Sequence, residues 1–395
     1  MTITKSKRIE SIDILRGLVM VIMALDHVRD YFHLNALYTA DPENLDTTTP
    51  FLFFTRFITH YCAPVFIFLA GTSACLYGQN KSKKDVSKFL ITRGAWLVFV
   101  EIVIMNFIWW FDPSYSFINL QVIWAIGICM ITLGLLVLLP KRLILVLGLL
   151  IVFGHNLLDG ITMKGNSPLS LLWYALHQQN FVLLGPDRFM SFSYPVLPWI
   201  GVISLGYCFG DFYKRNADAI RRKKWLLYLG IGSIALFFLL RTFNIYGNSY
   251  HWEFQGSIKK TVLSFFKLIK YPPSLLYLLI TLGPAFLFLF LIENIKNKVT
   301  NFLLVFGRVP FFYYVMHVFL IHILAIVGLI LTAKDWKQMI ITKNTLFNGE
   351  LAGYGYSLLI VYLVWILVVI ILYPLCNKYM KYKTNNKDKW WLSYL

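Results

Sequence analysis

Ionisable side chains inside apolar segments are where chemistry is first sought, because each costs several kcal/mol unless it is paired or faces water. Asp26, Arg29, Asp30 and His33 fall at i, i+3, i+4 and i+7. That spacing puts them on one face of a helix, with His27 about a quarter turn away. Thirty residues on, Arg56 and His60 form an i, i+4 pair, followed by Pro64, whose missing N–H opens or kinks a helix. If the second segment runs back from the surface where the first one ends, both pairs lie at one depth. A histidine near a carboxylate is equipped to take a proton from an attacking amine or hydroxyl, since its pKa lies near neutrality. His27 and His60 are therefore the candidate bases, with Asp26 or Asp30 to orient them and Arg29 and Arg56 to contact substrate. The competing structural reading is a salt-bridge ladder ending a helix, with His60 making only helix contacts.

Further along, GRVPFFYYVMHVFLIH carries Arg308, His317 and His322. The two histidines are about 140° apart around a helix, so one is expected to line a cavity and the other to be structural. Glu101, with Asn106 in the same segment, is expected to pair with a neighbouring helix or to be protonated. Arg241, Asn244 and Lys270 are candidate contacts for an anionic or sugar ligand. A second polar level, Asp13, Arg16, Arg93 and Arg308, falls near the opposite ends of the spans, and Asp13 and Asp26 are separated by roughly 20 Å of helix. Arginines there suit the phosphates of a donor.

The elements that must position these groups are membrane spans. Of 395 residues, 58% are apolar and only 14% charged, with a mean hydropathy of +0.64, which excludes a soluble globular protein. Apolar runs place ten helices at about 11–32, 51–79, 91–111, 119–139, 142–158, 194–212, 225–242, 273–293, 308–331 and 357–380. The predicted class is an all-α polytopic membrane protein of one domain. Lys5, Lys7 and Arg8 hold the N-terminus in the cytoplasm under the positive-inside rule, and alternate loops are then the basic ones, which puts the C-terminus inside as well. Asp13, Arg16 and the lack of a small-residue cleavage site favour an uncleaved first helix over a signal peptide. The outer loops 159–193 and 243–272 are long enough to be locally folded or functional.

The formal charge of +18 fits loops facing anionic lipid better than nucleic acid. The five cysteines form no CxxC pair, so neither a disulfide framework nor a zinc site is indicated and no metal is expected. Phosphate-loop, dinucleotide, GxSxG and HExxH signatures are absent. On these grounds alone, membrane enzyme and transporter stand nearly level.

RIESIDILRGLVMVIMALDHVRDYF (8–32) and FFTRFITHYCAPVFIFLAGTSA (53–74) resemble the opening of the bacterial DUF1624 membrane proteins, relatives of heparan-alpha-glucosaminide N-acetyltransferase. QVIWAIG (121–127), YPVLPWIG (194–201), KYPPSL (270–275) and GRVPFFYYVMH (307–317) resemble further blocks. The resemblance implies acyl transfer across the membrane: acetyl-CoA binds from the cytoplasm, and the acyl group passes to an amine or hydroxyl of a sugar or glycoconjugate outside. It puts Asp26 at the family's amide position and leaves the family's histidine open among His27, His33 and His60. On that reading Arg16, Arg93 and Arg308 meet the coenzyme phosphates; the helical spans point to an inner membrane, since an outer-membrane protein would be a barrel, and the resemblance suggests a homodimer. The alternatives are a transporter or flippase for a sugar- or lipid-linked substrate, using the buried charges as a path, or a non-catalytic receptor. Neither internal repeats nor paired broken helices, the usual transporter pointers, are visible in the sequence.

Overall fold

The computed structural model describes residues 10–37, 41–347 and 350–393; the topogenic Lys5, Lys7 and Arg8 lie outside them. In chain order come α1 (Ser11–Phe32), α2 (Pro50–Thr59), α3 (Cys62–Tyr77), α4 (Lys83–Phe99), a π-helical stretch Val100–Met105 and α5 (Asn106–Trp110). Next are β1 (Phe117–Leu120), α6 (Val122–Leu136), α7 (Lys141–Gly154), α8 (Pro168–Leu176), β2 (Asn180–Leu183), β3 (Phe189–Phe192), α9 (Leu197–Phe209) and α10 (Ala219–Thr242). The last are α11 (Ile258–Phe266), α12 (Leu275–Ile292), α13 (Lys298–Arg308), α14 (Pro310–Leu331), α15 (Lys343–Phe347) and α16 (Leu358–Asn385).

Each of the ten expected segments is helical over most of its length, and among the described residues seven helical stretches are long and apolar enough to cross a membrane. The other three fall short for identifiable reasons. α6 and α9 have 15 and 13 residues, below the roughly 20 that span a bilayer, and α1 carries Asp13, Arg16, Asp26, Arg29 and Asp30. Lipid-facing character shows on α7, α10 and α16, where Leu150, Tyr228 and Ile370 stand exposed.

At three places the structure adds to the predicted spans. The span predicted at 51–79 is two helices that break at His60 and Tyr61. Pro64 explains the break: it can give no N–H to the carbonyl of His60, four residues back, and its ring crowds that carbonyl. The freed oxygen accepts instead from the Tyr277 hydroxyl at 2.8 Å. The span at 308–331 is likewise preceded by a separate helix, with Val309 between α13 and α14 and Pro310 in the first turn of α14. The segment predicted at 119–139 begins as strand β1, so the fold is not helical throughout. β1 pairs in parallel with β3, and β3 antiparallel with β2. The long segments 159–193 and 243–272 are folded locally, into α8, β2, β3 and α11.

Glu101 does pair with a neighbouring helix. Its carboxylate accepts from the backbone N–H of Trp124 at 3.0 Å, in the first turn of α6, where helix donors lack intrahelical partners. Asn106 pins β1 in both directions, its Oδ1 accepting from Asn119 N and its Nδ2 donating to Asn119 O, at 2.7 and 3.2 Å. α1 is set against α13 by a contact only glycine permits: a Cβ on Gly17 would lie 1.9 Å from Leu303 O, and one on Gly307 1.8 Å from Asp13 O. This crossing fixes Arg16 beside Arg308.

Candidate active site

A cavity of about 460 Å³ runs along α1 and α3. Arg16, Arg93, Arg308 and Lys383 line one end, and Asp26, His27, Thr59, Tyr194 and Lys270 the other. Between them the wall is apolar, with Met20, Met23, Ala63, Phe66 and Ala70 among its residues. From Arg16 to Asp26 the helix rises about 15 Å.

The basic end is held by its own network. Arg16 donates to Asp13 at 3.0 Å, to Ser73 Oγ at 2.9 Å and to Gly307 O at 3.3 Å. Arg308 pairs with Glu10 at 3.0 Å. All three arginines assigned to phosphates from the sequence are thus brought to one place. Lys383, near the end of α16, joins them; in the sequence it is one of several lysines that follow the last apolar run, so nothing singled it out.

At the other end, a chain of hydrogen bonds settles which nitrogen of His27 can act. His317 Nδ1 lies 2.7 Å from the Tyr313 carbonyl, an acceptor only, so this nitrogen carries the proton. Nε2 of neutral His317 is then an acceptor, and it lies 2.7 Å from His27 Nδ1, which must donate. His27 Nε2 keeps its lone pair in a ring that forms part of the cavity wall. The two imidazoles lie edge to edge with 8° between their planes and ring centres 4.9 Å apart, and Trp109 closes edge-on at 4.8 Å. The group that holds His27 is therefore His317, one of the two histidines from which a cavity-lining residue was expected, rather than Asp26 or Asp30.

Asp26 is engaged elsewhere. Arg56 donates to its two oxygens at 2.8 and 2.6 Å, Thr59 Oγ donates at 2.8 Å, and Arg29 lies 2.9 Å away. Arg29 also pairs with Asp30 at 2.6 Å. α1 and α2 are thereby locked by a buried ion cluster, in which each charge has the partners that burial demands. Sequence spacing brought Asp26 and Arg56 to one level, as expected.

His60 does not reach the cavity wall. Its Nε2 stands 3.5 Å from Glu43, which also lies 4.0 Å from Arg56. Burial would raise the Glu43 carboxyl, but the facing His60 imidazole and the Arg56 guanidinium outweigh it and hold it down at about 2. Glu43 went unrecognised because it sits in a polar loop, where a carboxylate is unremarkable until the chain folds back. His322 lies between two backbone carbonyls, Ile108 O 2.9 Å from Nδ1 and Met339 O 2.8 Å from Nε2, and its one N–H donates to one of them, so it is structural and neither α14 histidine lines the cavity. The convergence expected of Arg241, Asn244 and Lys270 is not realised there. Arg241 donates to the carbonyls of Phe265, Tyr250, Ser264 and Lys267, and Asn244 bonds the backbone of Trp252, so both serve to fold the loop. Lys270 alone of the three lines the cavity. Next to it, Tyr271 donates to Tyr194 at 3.2 Å; burial would raise its hydroxyl, but Lys270 and Arg56 hold it below its ordinary value.

Fold and cavity together define a multi-pass helical membrane protein with a cavity lined by arginines at one end and by His27 at the other. Residues 8–243 match the family described as heparan-alpha-glucosaminide N-acetyltransferase, catalytic, and the chain belongs to that family. Its activity is accordingly of the transmembrane acetyltransferase type. A comparison with curated proteins finds no match.

Proposed function

We propose that the protein transfers an acetyl group from acetyl-CoA in the cytoplasm to an amine or hydroxyl of a sugar or glycoconjugate on the far side of the inner membrane. The observation that carries this reading is that His27 and the cluster of Arg16, Arg93 and Arg308 line one cavity at opposite ends. Guanidinium groups recognise phosphate oxygens at the basic end, and the apolar middle accommodates a slender acyl-pantetheine arm. The thioester carbonyl is then presented near His27. His27 Nε2 takes the proton of the acceptor as its nitrogen or oxygen bonds to the carbonyl carbon. The C–S bond breaks, and the thiolate leaves as free CoA after taking up a proton. Asp26, Thr59 and Lys270 form the polar rim on which the acceptor sits, and Arg29 and Arg56 hold that rim through Asp26 and Asp30. Membrane lipid surrounds the apolar faces, and two copies of the chain are compatible with this reading.

The test is acetyl-CoA binding and thiol release by the purified protein in nanodiscs, with His27→Ala and Arg308→Ala alongside. Loss of an Arg308 contact to phosphate is expected to weaken binding by about 10- to 100-fold, in line with a charged hydrogen bond of roughly 1.5–3 kcal/mol. His27→Ala is expected to bind normally and release no thiol. Absence of binding at saturating acetyl-CoA in a well-folded sample would refute the reading and favour a transporter, for which flux into liposomes without CoA is the assay.

A further inference from the structure

Outside the cavity, three ligand-type side chains meet where the chain leaves α7 and α8. His155 begins the single 3-10 turn after α7, Asp159 follows that turn, and His177 caps α8. One nitrogen from each ring and one carboxylate oxygen lie within 4.8 Å of one another. We propose that these residues bind a structural zinc ion.

Three observations point there. His155 and His177 are 2% and 3% exposed, yet none of their four ring nitrogens makes a hydrogen bond to the protein, although His177 Nε2 lies 3.2 Å from Asp159 Oδ1. Buried polar groups are rarely left in that condition, and a cation supplies the missing partner. The carboxylate is also set in the way metal ligands are set by outer partners: Asp159 Oδ2 accepts from Asn156 at 2.9 Å and from Ser249 at 2.7 Å, leaving Oδ1 turned to the imidazoles. The rings meet edge to face, 5.5 Å apart at 79°, so small rotations bring one nitrogen of each to the roughly 3.3 Å ligand separation that bonds of about 2.0–2.1 Å to a tetrahedral zinc require.

Two neutral imidazoles and one carboxylate suit zinc rather than calcium or magnesium, which prefer oxygen. The Asp159 side chain, 22% exposed, leaves an edge through which water completes the set. The cluster does not line the cavity, so its role is to fasten chain. Asn156 Oδ1 accepts from Leu275 N at 2.9 Å, and Ala175 O accepts from Val196 N at 2.8 Å, joining this corner to the two segments that carry Lys270 and Tyr194. The sequence expectation of no metal rested on closely spaced ligand pairs; here His155 and His177 are brought together only by the folding of α8.

The full chain, purified without chelator or immobilised-metal resin, is expected to carry about one zinc per chain by elemental analysis. Stripping with chelator lowers its melting temperature, and zinc, unlike magnesium, restores it. In His155→Gln and His177→Gln the metal falls to background and the zinc-dependent shift disappears. The milder Ser249→Ala keeps the fold and weakens zinc by about tenfold, as loss of an outer partner does. Wild-type protein that holds no zinc above background, with a melting temperature unmoved by added zinc, overturns the proposal, whatever the variants do.

Discussion

Replacing His317 by phenylalanine keeps a ring against His27 and removes the nitrogen 2.7 Å from its Nδ1. In the wild type the Tyr313 carbonyl fixes the proton on His317 Nδ1, and that in turn fixes the proton of His27 on Nδ1. Without the acceptor, nothing holds the tautomer that leaves Nε2 free to act as a base. A neutral hydrogen bond contributes a net of about 0.5–1.5 kcal/mol, so the acting tautomer is expected to lose roughly two- to tenfold in relative population. Turnover, which follows the fraction in the acting tautomer, should fall by up to that factor, while acetyl-CoA affinity, set some 15 Å away at the basic end, stays put. Deleting the base itself in His27→Ala removes a contribution of about 10²–10⁴. The assay is single-turnover thiol release beside equilibrium acetyl-CoA binding, which separates loss of chemistry from loss of the donor. A well-folded His317→Phe with full turnover, beside an inactive His27→Ala, refutes the tautomer chain; full turnover in His27→Ala refutes the base assignment altogether.

Two further outcomes follow from the packing and from the acid side. Gly307→Ala sets a methyl 1.8 Å from Asp13 O, so α1 and α13 must separate by more than an ångström; donor binding should weaken with Arg16 and Arg308 pulled apart, and a variant with unchanged acetyl-CoA affinity would disprove the link. Glu43 has a carboxyl pKa depressed from 4.5 to about 2, so its ionised form stabilises the fold above about pH 4.5 and that contribution, at most about 3 kcal/mol, drains away as the pH falls towards 2. Glu43→Gln should flatten melting temperature against pH in that window, and an unchanged slope would show that the Glu43, His60 and Arg56 contacts carry no such linkage.

How much of this was legible beforehand depends on the range of the interaction. Apolar runs of span length fix where helices form, and i, i+3 and i+4 spacing put Asp26, Arg29 and Asp30 on one face; both are local rules and both hold in the structure. Pro64 announced a break, but the consequence, a His60 carbonyl taken over by Tyr277, needs α12 to arrive from more than 200 residues away. The same limit applies to the base. His27 and His60 looked equivalent because each stands near a carboxylate in depth, and the partner that distinguishes them, His317, sits on another helix. Arg241 misled for a related reason: an arginine near a span end is as ready to satisfy backbone carbonyls of a folded loop as to meet a ligand, and only the loop's path decides.

The two ends of the cavity differ in charge balance, and that difference bears on direction. Around His27 the cations Arg29, Arg56 and Lys270 face the carboxylates of Asp26, Asp30 and Glu43, so the local sum is zero. At the opposite end four cations, Arg16, Arg93, Arg308 and Lys383, line the wall, and Asp13 and Glu10 pair with Arg16 and Arg308, so that among the described lining residues there the cations predominate. A ligand with several phosphates is stabilised at one end and gains nothing at the other, whereas a neutral or singly charged sugar meets no net field at the histidine end. On the proposed reading, the donor therefore has one productive orientation, with phosphates by the arginines and thioester by His27, and the basic end must open to the compartment that holds acyl-CoA. Reversing that charge, with Arg16→Glu and Arg93→Glu together, leaves His27 and its partners untouched while removing the charge that orients the donor, so acetyl-CoA binding should be lost.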